Sequence, residues 1–301
     1  LQPVLGWLTS AGLAFKKVDS LLRGNTFAEI AWIYREGGFD QVVFAPAFPA
    51  QGRITRENRQ QVVAADGTRQ PVAEPLREAF GRFGLDIAAS PEAVGDVWIP
   101  EVTTDADLDR IAACSRVDDG RKRLWCGSAG LAHAFSRLAG VAPCAGEALP
   151  PAKGLGPTVL ISSSFQPVFR EQWAALRSGS TSSVVAEQGD DRQIDEALLA
   201  AHNGAEHVWF DLSPRRQITP DEAARLLAGY VHRLVDRLPI PGQLLVVGGD
   251  TLLGLCRETR TEILLTQPSL RSGWGCARLV GGRWDGVPCH SRSGAFGVRE
   301  D

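Results

Sequence analysis

The sequence predicts an α/β protein with two domains, each built on a largely parallel sheet flanked by helices. Short β-branched apolar segments recur along the 301 residues, segments with helical spacing lie between them, and one proline- and glycine-rich stretch divides the chain. Strands that alternate with helices form right-handed crossover units around largely parallel sheets. A chain of this length with 44% hydrophobic residues can bury more than one core.

Six short apolar segments predict strands that are buried on both faces of a sheet. They are "QVVFAPAF" (41–48), "DVWIPEV" (96–102), "RLWCGS" (123–128), "PTVLISSS" (157–164), "HVWFDL" (207–212) and "QLLVVGGDT" (243–251). Helical spacing of apolar residues predicts helices within 71–84, 104–114, 128–139, 167–178 and 220–238. Paired glycines predict a hairpin followed by a glycine-rich loop within 277–297.

Residues 140–157 are rich in proline and glycine and show no apolar periodicity, which is typical of a connection between domains. We therefore expect one domain at 1–145 and a second at 146–301. Ligand crevices form at domain interfaces and at the carboxyl ends of strands. The sequence accordingly predicts a ligand cleft between the two domains.

The charge pattern excludes several classes of partner. The formal net charge is −3 and acidic and basic residues are interspersed, so nothing favours duplex nucleic acid or an anionic membrane. No apolar segment approaches the roughly 18 residues of a membrane span, and the first residues do not resemble a signal peptide. We expect a soluble, cytoplasmic protein. The six cysteines include no C-x-x-C pair, which predicts reduced and mostly buried thiols.

Methionine is absent from the sequence. A cytoplasmic chain of this length would contain several, so we expect either that the true N-terminus lies upstream of Leu1 or that methionines are missing from the sequence.

The common catalytic and nucleotide signatures are not found. There is no G-x-x-x-x-G-K-[ST] loop and no G-x-G-x-x-G after a strand, which disfavours a dehydrogenase that uses a nicotinamide cofactor. The five histidines show no metal-binding spacing, and Cys126 has no recognisable partner for a thiolate nucleophile. A hydrolase of the Ser-His-Asp or Cys-His type therefore has little support.

Three stretches could contact an anionic ligand. "LLVVGGDT" leads from a strand into Gly248 and Gly249, where the backbone can approach a ligand, and Asp250 or Thr251 could cap the following helix. "VLISSSFQPV" ends a strand on serines, and "SRSGAFG" combines a cation with glycines. Ordinary capped turns explain the first two stretches equally well or better, and the third is weak alone. In "LWCGSAGLAHAF", close packing of a helix on the sheet is the better reason for the small residues.

"KKVDSLLRGN" (16–25) is too polar for a core strand and too ordered for a linker. Together with "CGSAGLA", "VVGGDT" and "SRSGAFG" it occurs in the order and at the intervals of the signature stretches of the four-carbon acid sugar kinases, long known only as a family of unknown function. "FAPAFPAQGR" (44–53) and "TTDADL" (103–108) resemble further segments of that family, and the resemblance extends from Lys16 to Gly297.

This resemblance implies an N-terminal domain that binds an acid sugar and a C-terminal domain that binds ATP, with Mg²⁺-dependent transfer of a phosphoryl group to a hydroxyl of threonate, erythronate or an oxo-tetronate. It leaves a homodimer open. The carboxylate of a sugar acid suits Arg23 and a lysine, and its hydroxyls suit the polar side chains of the same stretch. The implied substrate-binding residues are Lys17, Asp19, Ser20, Arg23 and Asn25.

The implied nucleotide-binding residues are Ser162, Ser164, Gly248, Gly249, Asp250, Thr251, Arg292 and Gly294. Asp19 is our candidate for orienting or deprotonating the attacking hydroxyl, and Asp250 for a contact with metal or ribose. The family begins with an "ADDxTGA"-like motif after a first strand, and nothing similar precedes Leu1. We expect this first strand–helix unit to be absent from the sequence, and an aspartate of that motif is a rival for the catalytic base.

Four positions depart from the family pattern, which has threonine at Leu21, glycine at Ser163, lysine at Arg292 and glycine at Ala295. Arginine keeps the charge of lysine without its point-like geometry, and alanine restricts the backbone. These departures motivate a second hypothesis, in which the protein is a non-catalytic paralogue that binds nucleotide or sugar acid but transfers nothing.

Overall fold

The computed structural model describes residues 2–64, 66–141, 156–179, 183–216, 218–268 and 273–294. The chain divides into two compact units, Leu1–Pro143 and Cys144–Asp301. Most of the predicted connection at 140–157 lies outside the described residues. Each unit has a largely parallel sheet with helices on both faces, which confirms the predicted fold class.

The first unit contains five α-helices and eight strands among the described residues. The helices are α1 (Gln2–Ser10), α2 (Thr26–Glu36), α3 (Leu76–Gly81), α4 (Asp105–Ala113) and α5 (Ala129–Leu138). The strands are β1 (Ala14–Lys17), β2 (Gln41–Ala45), β3 (Arg53–Arg56), β4 (Arg59–Val63), β5 (Arg69–Pro71), β6 (Ile87–Ala88), β7 (Val97–Trp98) and β8 (Arg123–Gly127).

The main sheet of the first unit has five strands in the order β1-β8-β2-β7-β6, and every pairing is parallel. Alternate residues of β2 face opposite sides. Phe44 packs with Ile30 of α2 and Phe80 of α3, whereas Val43 packs with Leu108 of α4 and the neighbouring helix α5. Because both faces are covered, β2 is apolar at successive positions rather than at alternate ones.

A separate antiparallel sheet of three strands, in the order β3-β4-β5, was not predicted. Glu57 and Asn58 connect β3 to β4 with φ angles of 52° and 59°. Positive φ at two central residues is typical of a type I′ hairpin turn. Asn58 is a residue type that tolerates positive φ but Glu57 is not, so the sequence carried only a partial signal for this turn.

The second unit contains four helices and seven strands among the described residues. The helices are α6 (Pro167–Gly179), α7 (Asp191–His202), α8 (Pro220–Arg237) and α9 (Gly249–Thr259). The strands are β9 (Thr158–Ser162), β10 (Ser183–Ala186), β11 (His207–Asp211), β12 (Gln243–Val247), β13 (Ile263–Gln267), β14 (Gly275–Val280) and β15 (Pro288–Arg292).

The sheet of the second unit has seven strands in the order β10-β11-β9-β12-β15-β14-β13. The pairings from β10 to β15 are parallel, and β14 is antiparallel to both of its neighbours. The predicted C-terminal hairpin is confirmed as β14 and β15. Helices α7, α8 and α9 pack on one face of the sheet, and Phe169 and Trp173 of α6 pack on the other face.

Several predicted elements are shorter than expected. The segment at 96–102 contributes only Val97–Trp98 to the sheet, and Val102 instead forms an isolated antiparallel bridge with Thr55. The helix predicted within 71–84 is Leu76–Gly81. The stretch at 16–25, described as too polar for a core strand, supplies Lys16 and Lys17 to β1, which lies at the edge of the sheet.

Of the described cysteines, Cys126, Cys276 and Cys289 are buried, and Cys114 and Cys256 are partly buried. Burial raises the pKa of Cys126 and raises that of Cys289 to about 12. These thiols therefore stay protonated near neutral pH, as expected for structural cysteines. In the part of the chain that the structure describes, we find no helix with the length and hydrophobicity to cross a membrane.

Small residues at the start of α5 allow the helix to lie close to the sheet, as predicted for "CGSAGLA". A Cβ on Gly127 would lie 2.6 Å from Leu131, and one on Gly130 would lie 2.8 Å from the carbonyl oxygen of Ala47. Ser128 caps α5 by accepting from the amide of Gly130, and its hydroxyl donates to Ala47. The turn therefore fixes both the start of the helix and its distance from the sheet.

We expect Gly130→Ala to lower the free energy of unfolding by about 1–3 kcal/mol, because the methyl group overpacks a rigid site. Urea denaturation of the whole chain measures this change. Gly229→Ala is the control, since Gly229 lies within α8 and a Cβ there meets no atom within 4 Å. The control should gain about 0.5–1 kcal/mol. Equal effects of the two substitutions would contradict the packing argument.

Candidate functional site

In the first unit, the loop that follows β1 carries the residues predicted to bind a sugar acid. The amide of Val18 donates to the carbonyl oxygen of Gly127, which extends the pairing with β8 by one residue. The chain then turns, with the amide of Leu22 donating to the carbonyl oxygen of Asp19, and helix α2 begins at Thr26. Asp19–Asn25 therefore forms a loop at the carboxyl end of a parallel strand, where ligands commonly bind.

Asp19 and Arg23 form an ion pair within this loop. Arg23 Nε donates to Asp19 Oδ2 at 2.5 Å, and the backbone amide of Arg23 lies 3.3 Å from the same oxygen. Burial alone would raise the pKa of Asp19, but the hydrogen bond and charge of Arg23 and the backbone amides of Leu21 and Arg23 outweigh burial and lower it. Asp19 is therefore an anion at neutral pH and a weak base.

Arg53, at the start of β3, is a second cation at this loop that the predicted site omitted. It is only 9% exposed, and its Nη1 donates to the carbonyl oxygen of Gln51 at 2.7 Å. Burial lowers the pKa of Arg53, the charge of Asp19 raises it, and the charge of Arg23 lowers it. The three charged side chains are thus electrostatically coupled. The signal in the sequence was "FAPAFPAQGR", which ends at this residue.

The other three residues predicted to bind a sugar acid make separate contacts. Lys17 is exposed, and its Nζ donates to the carbonyl oxygen of Val18 at 2.8 Å. The carbonyl oxygen of Ser20 accepts from Nε2 of the buried Gln60 at 2.9 Å, which ties the loop to β4. Asn25 precedes α2 but forms no side-chain cap. The structure therefore brings Asp19 and Arg23 into contact, whereas among the described residues no hydrogen bond joins Lys17, Ser20 and Asn25 to one another.

In the second unit, the carboxyl ends of four adjacent strands lie side by side. Ser162 of β9 pairs in register with Asp211 of β11 on one side and with Val247 of β12 on the other. Val247 in turn pairs with Arg292 of β15. The three predicted nucleotide-facing stretches therefore begin at one edge of the sheet, although they are far apart in the sequence.

The hydroxyl groups nearest the sheet hold the turns together. The Ser162 hydroxyl is buried, donates to the carbonyl oxygen of Val247 at 3.1 Å and accepts from the amide of Ser164. Ser163 and Thr251 join their hydroxyls at 2.8 Å. Because Ser162 and Thr251 use their hydroxyls within the protein, they support the turn, whereas Ser164 lies closer to the surface.

Helix α9 begins differently from the prediction that Asp250 or Thr251 caps it. Its N-cap is Gly248, with a φ of +116° and no side-chain cap, and Asp250 and Thr251 lie within the first turn. A residue with a side chain would be strained at that φ. Gly249 and Asp250 are exposed, so the first turn presents backbone amides and one carboxylate to a ligand.

The stretch around Arg292 contacts both other turns. The amide of Gly248 donates to the carbonyl oxygen of Arg292 at 2.9 Å, and a Cβ on Gly294 would clash with the Ser164 hydroxyl. The Arg292 guanidinium lies over the ring of Trp274, 4.8 Å from its centre, and donates to Gln172 of α6. Ala295 and Gly297, which complete the predicted loop, lie outside the described residues.

A partly buried ion pair at the same edge was not predicted. Arg170 Nη1 in the first turns of α6 donates to Asp211 Oδ2 at 2.7 Å and to the Ser213 hydroxyl at 3.1 Å. Asp211 is fully buried, and its other oxygen accepts from the amide and hydroxyl of Ser213. The available signal was Asp211 at the end of the predicted strand 207–212, the position at which ligands bind in open sheets.

A groove of about 410 Å³ lies beside the loops that follow β10 and β11. This volume is within the range of small-molecule pockets. Tyr230 forms part of its wall, and the Tyr230 hydroxyl donates to the carbonyl oxygen of Gly189 at 2.9 Å. Its lining combines apolar and charged side chains, namely Gln188, Pro214, Arg215, Arg216, Ile218, Glu222, Leu226 and Tyr230.

Each unit therefore places charged or hydroxyl-bearing side chains at the carboxyl ends of parallel strands, as two-domain ligand-binding α/β proteins do. Residues 1–80 match the family model of a sugar-binding N-terminal domain. A D-threonate kinase from Cupriavidus necator is 25% identical over 328 aligned residues, which cover 94% of this chain and 76% of that protein. The two matches confirm the resemblance to the four-carbon acid sugar kinase family.

Two crystal structures share the fold. A putative tRNA synthase from Salmonella typhimurium LT2 aligns with a TM-score of 0.70 at 15% identity, covering 99% of this chain and 82% of that chain. A Haemophilus influenzae protein from a domain family of unknown function aligns with a TM-score of 0.64 at 14% identity, covering 98% of this chain and 82% of that chain. At such identities these matches show the fold alone.

We expect Gly294→Ala to weaken ADP binding by about 10-fold, because the new methyl group must displace Ser164 and with it the turn that follows β9. Isothermal titration of the full chain with ADP measures the change. The control is Gly254→Ala within α9, where a Cβ makes only ordinary contact with Val231 at 3.6 Å. Unchanged ADP affinity in Gly294→Ala would separate this turn from nucleotide binding.

Proposed function

We propose that the protein is an ATP-dependent kinase that transfers a phosphoryl group to a hydroxyl of a four-carbon sugar acid such as threonate or erythronate. The observation that carries the proposal is the meeting of the Ser162, Gly248 and Arg292 stretches at one edge of the second sheet. The sugar-binding family model and the threonate kinase relative support the same activity.

The cations of the first unit suit an anionic substrate. Asp19 interacts electrostatically with two of them, Arg23 and Arg53. Guanidinium groups bind carboxylates through two parallel hydrogen bonds, so a sugar carboxylate fits beside these arginines. The polar groups of Lys17, Ser20 and Asn25 belong to the same loop and complete the proposed substrate-binding set.

The lowered pKa of Asp19 points to an orienting role. A carboxylate whose pKa is held below its ordinary value of 3.8 accepts a proton poorly but accepts a hydrogen bond well. Phosphoryl transfer requires positioning and charge neutralisation more than proton abstraction in the loose transition state. Asp19 would therefore direct the substrate hydroxyl toward the phosphoryl group.

The second unit offers groups that fit ATP and Mg²⁺. Gly248 and Gly249 let backbone amides of α9 approach phosphates, with Ser164 and Gly294 beside them. Mg²⁺ is usually held by one or two carboxylates together with substrate phosphates, and Asp250 supplies one exposed carboxylate at this position. The metal would neutralise charge on the phosphates. We place the adenine ring in the groove that contains Tyr230.

A non-catalytic nucleotide-binding paralogue is the second candidate, and the position of Arg292 favours it. The family pattern has lysine there, whereas Arg292 is only 8% exposed, lies over Trp274 and bonds Gln172. A cation held in this way is less able to follow a transferring phosphoryl group than a flexible lysine. Such a protein would bind ADP but leave ATP unconsumed with every sugar acid.

We expect the protein to consume ATP with threonate or erythronate. We expect Asp19→Asn to lower kcat by roughly 100-fold with little change in KM, because a misplaced hydroxyl reacts slowly. A coupled ADP-release assay measures both. Asp105→Asn, an exposed aspartate in the first turn of α4, is the control. If the wild-type protein binds ADP but consumes no ATP, the second candidate, a non-catalytic paralogue, is supported. Normal turnover in Asp19→Asn removes Asp19 from the mechanism.

The lysine substitution of Arg23 tests carboxylate recognition. We expect Arg23→Lys to weaken substrate binding by about 1–3 kcal/mol while ADP affinity is unchanged, because an ammonium cannot reproduce the paired hydrogen bonds of the guanidinium. Isothermal titrations with threonate and with ADP give the two values. Arg56→Lys, in the same unit beside Glu57, is the matched control. Equal losses for both ligands would indicate general disruption instead.

A further inference from the structure

Arg170 differs from an ordinary surface arginine in how it is held. Its side chain is 32% exposed, yet it pairs with Asp211, whose side chain is fully buried. A buried carboxylate is costly unless it is paired and hydrogen-bonded. Asp211 meets this requirement through Arg170 and through two bonds from Ser213. The guanidinium is therefore fixed in position by the sheet rather than free to sample the solvent.

Two nitrogen atoms of the Arg170 guanidinium remain available to bind a ligand. Arg170 uses only Nη1 for its bonds to Asp211 and Ser213. Among the described residues, Nε and Nη2 of Arg170 have no hydrogen-bond partner. These two N–H groups are parallel donors on one edge of the planar group, the arrangement that binds two oxygens of a phosphate or carboxylate.

The location connects this cation to the predicted nucleotide site. Asp211 is the register partner of Ser162, so the anchor of Arg170 lies one strand away from the serine turn. Arg170 itself follows that turn in the sequence, and its amide donates to the carbonyl oxygen of Gln166. Pro214, which lines the groove that contains Tyr230, follows Ser213 directly in the sequence. Arg170 therefore belongs to the same edge as both.

On these grounds we infer that Arg170 is a phosphate-binding residue of the second unit, held by Asp211 and Ser213, and that its Nε and Nη2 donate to the phosphate oxygens of a bound nucleotide. The inference rests on the proposed function, since it assigns a residue to the ATP site. The inference gives Asp211 the role of a positioning residue, which acts through Arg170 and does not contact the nucleotide.

The test compares a ligand that carries phosphates with one that does not. Isothermal titration of the full chain with ADP and with adenosine should show that Arg170→Ala weakens ADP by about 10-fold or more, the effect of a lost hydrogen bond between charged groups. Adenosine affinity should change by less than about twofold. Arg177→Ala is the matched control, because Arg177 lies on the same helix and pairs with Glu187. It should leave both affinities unchanged.

Two further variants keep the test decisive if Arg170→Ala does not fold. Arg170→Lys keeps the charge and should also weaken ADP selectively. Asp211→Asn should weaken ADP selectively but by a smaller factor than Arg170→Ala, because the amide oxygen still accepts one bond from Arg170. The inference would be overturned if the folded variants lost equal affinity for ADP and for adenosine. It would also be overturned if they kept the ADP affinity of the wild-type protein. A wild-type protein that binds no ADP would instead overturn the proposed function itself.

Discussion

Parallel register is the constraint on which the candidate sites depend. Because β11, β9, β12 and β15 run in the same direction, their carboxyl ends form one edge, and Asp211, Ser162, Val247 and Arg292 lie at the same level of the sheet. Crossover helices return each chain segment to the opposite edge before the next strand begins. Every loop that follows these strands therefore starts at the same side, whatever its sequence. The chemistry of the edge is set by which residue types the chain supplies there.

At that edge, buried polar groups position the exposed ones. Ser162 and Thr251 direct their hydroxyls to the carbonyl oxygen of Val247 and to Ser163, so neither is left unsatisfied. Asp211 is buried with all its bonds made by Arg170 and Ser213. A ligand that meets Ser164, Gly249 or Arg170 thus meets groups whose positions are already determined, which reduces the entropy lost on binding.

The loop after β1 in the first unit is organised by charge rather than by hydroxyl groups. Burial would raise the pKa of Asp19, but the hydrogen bond and charge of Arg23 and two backbone amides outweigh burial and lower it. The largely buried Arg53 interacts electrostatically with both side chains. The buried Gln60 donates to the carbonyl oxygen of Ser20 and accepts from Thr55, so the small antiparallel sheet supports the loop. Removing a member of such a network affects its neighbours as well, since charges within a few ångströms do not act independently.

Local pattern alone determined much of this protein. The strand Gln41–Ala45 was readable because successive apolar residues identify a buried strand. Thr219 and Glu222 form a capping box, and their spacing marks the start of a helix. The turns after the strands were readable for the same reason, since their causes lie within a few residues. Tertiary structure alone decided that Asp211 holds Arg170, 41 residues away, that Arg53 lies beside Asp19, and that the Ser162 hydroxyl faces inward. Such contacts depend on strand order and on the path of each crossover connection, and no sequence spacing encodes either.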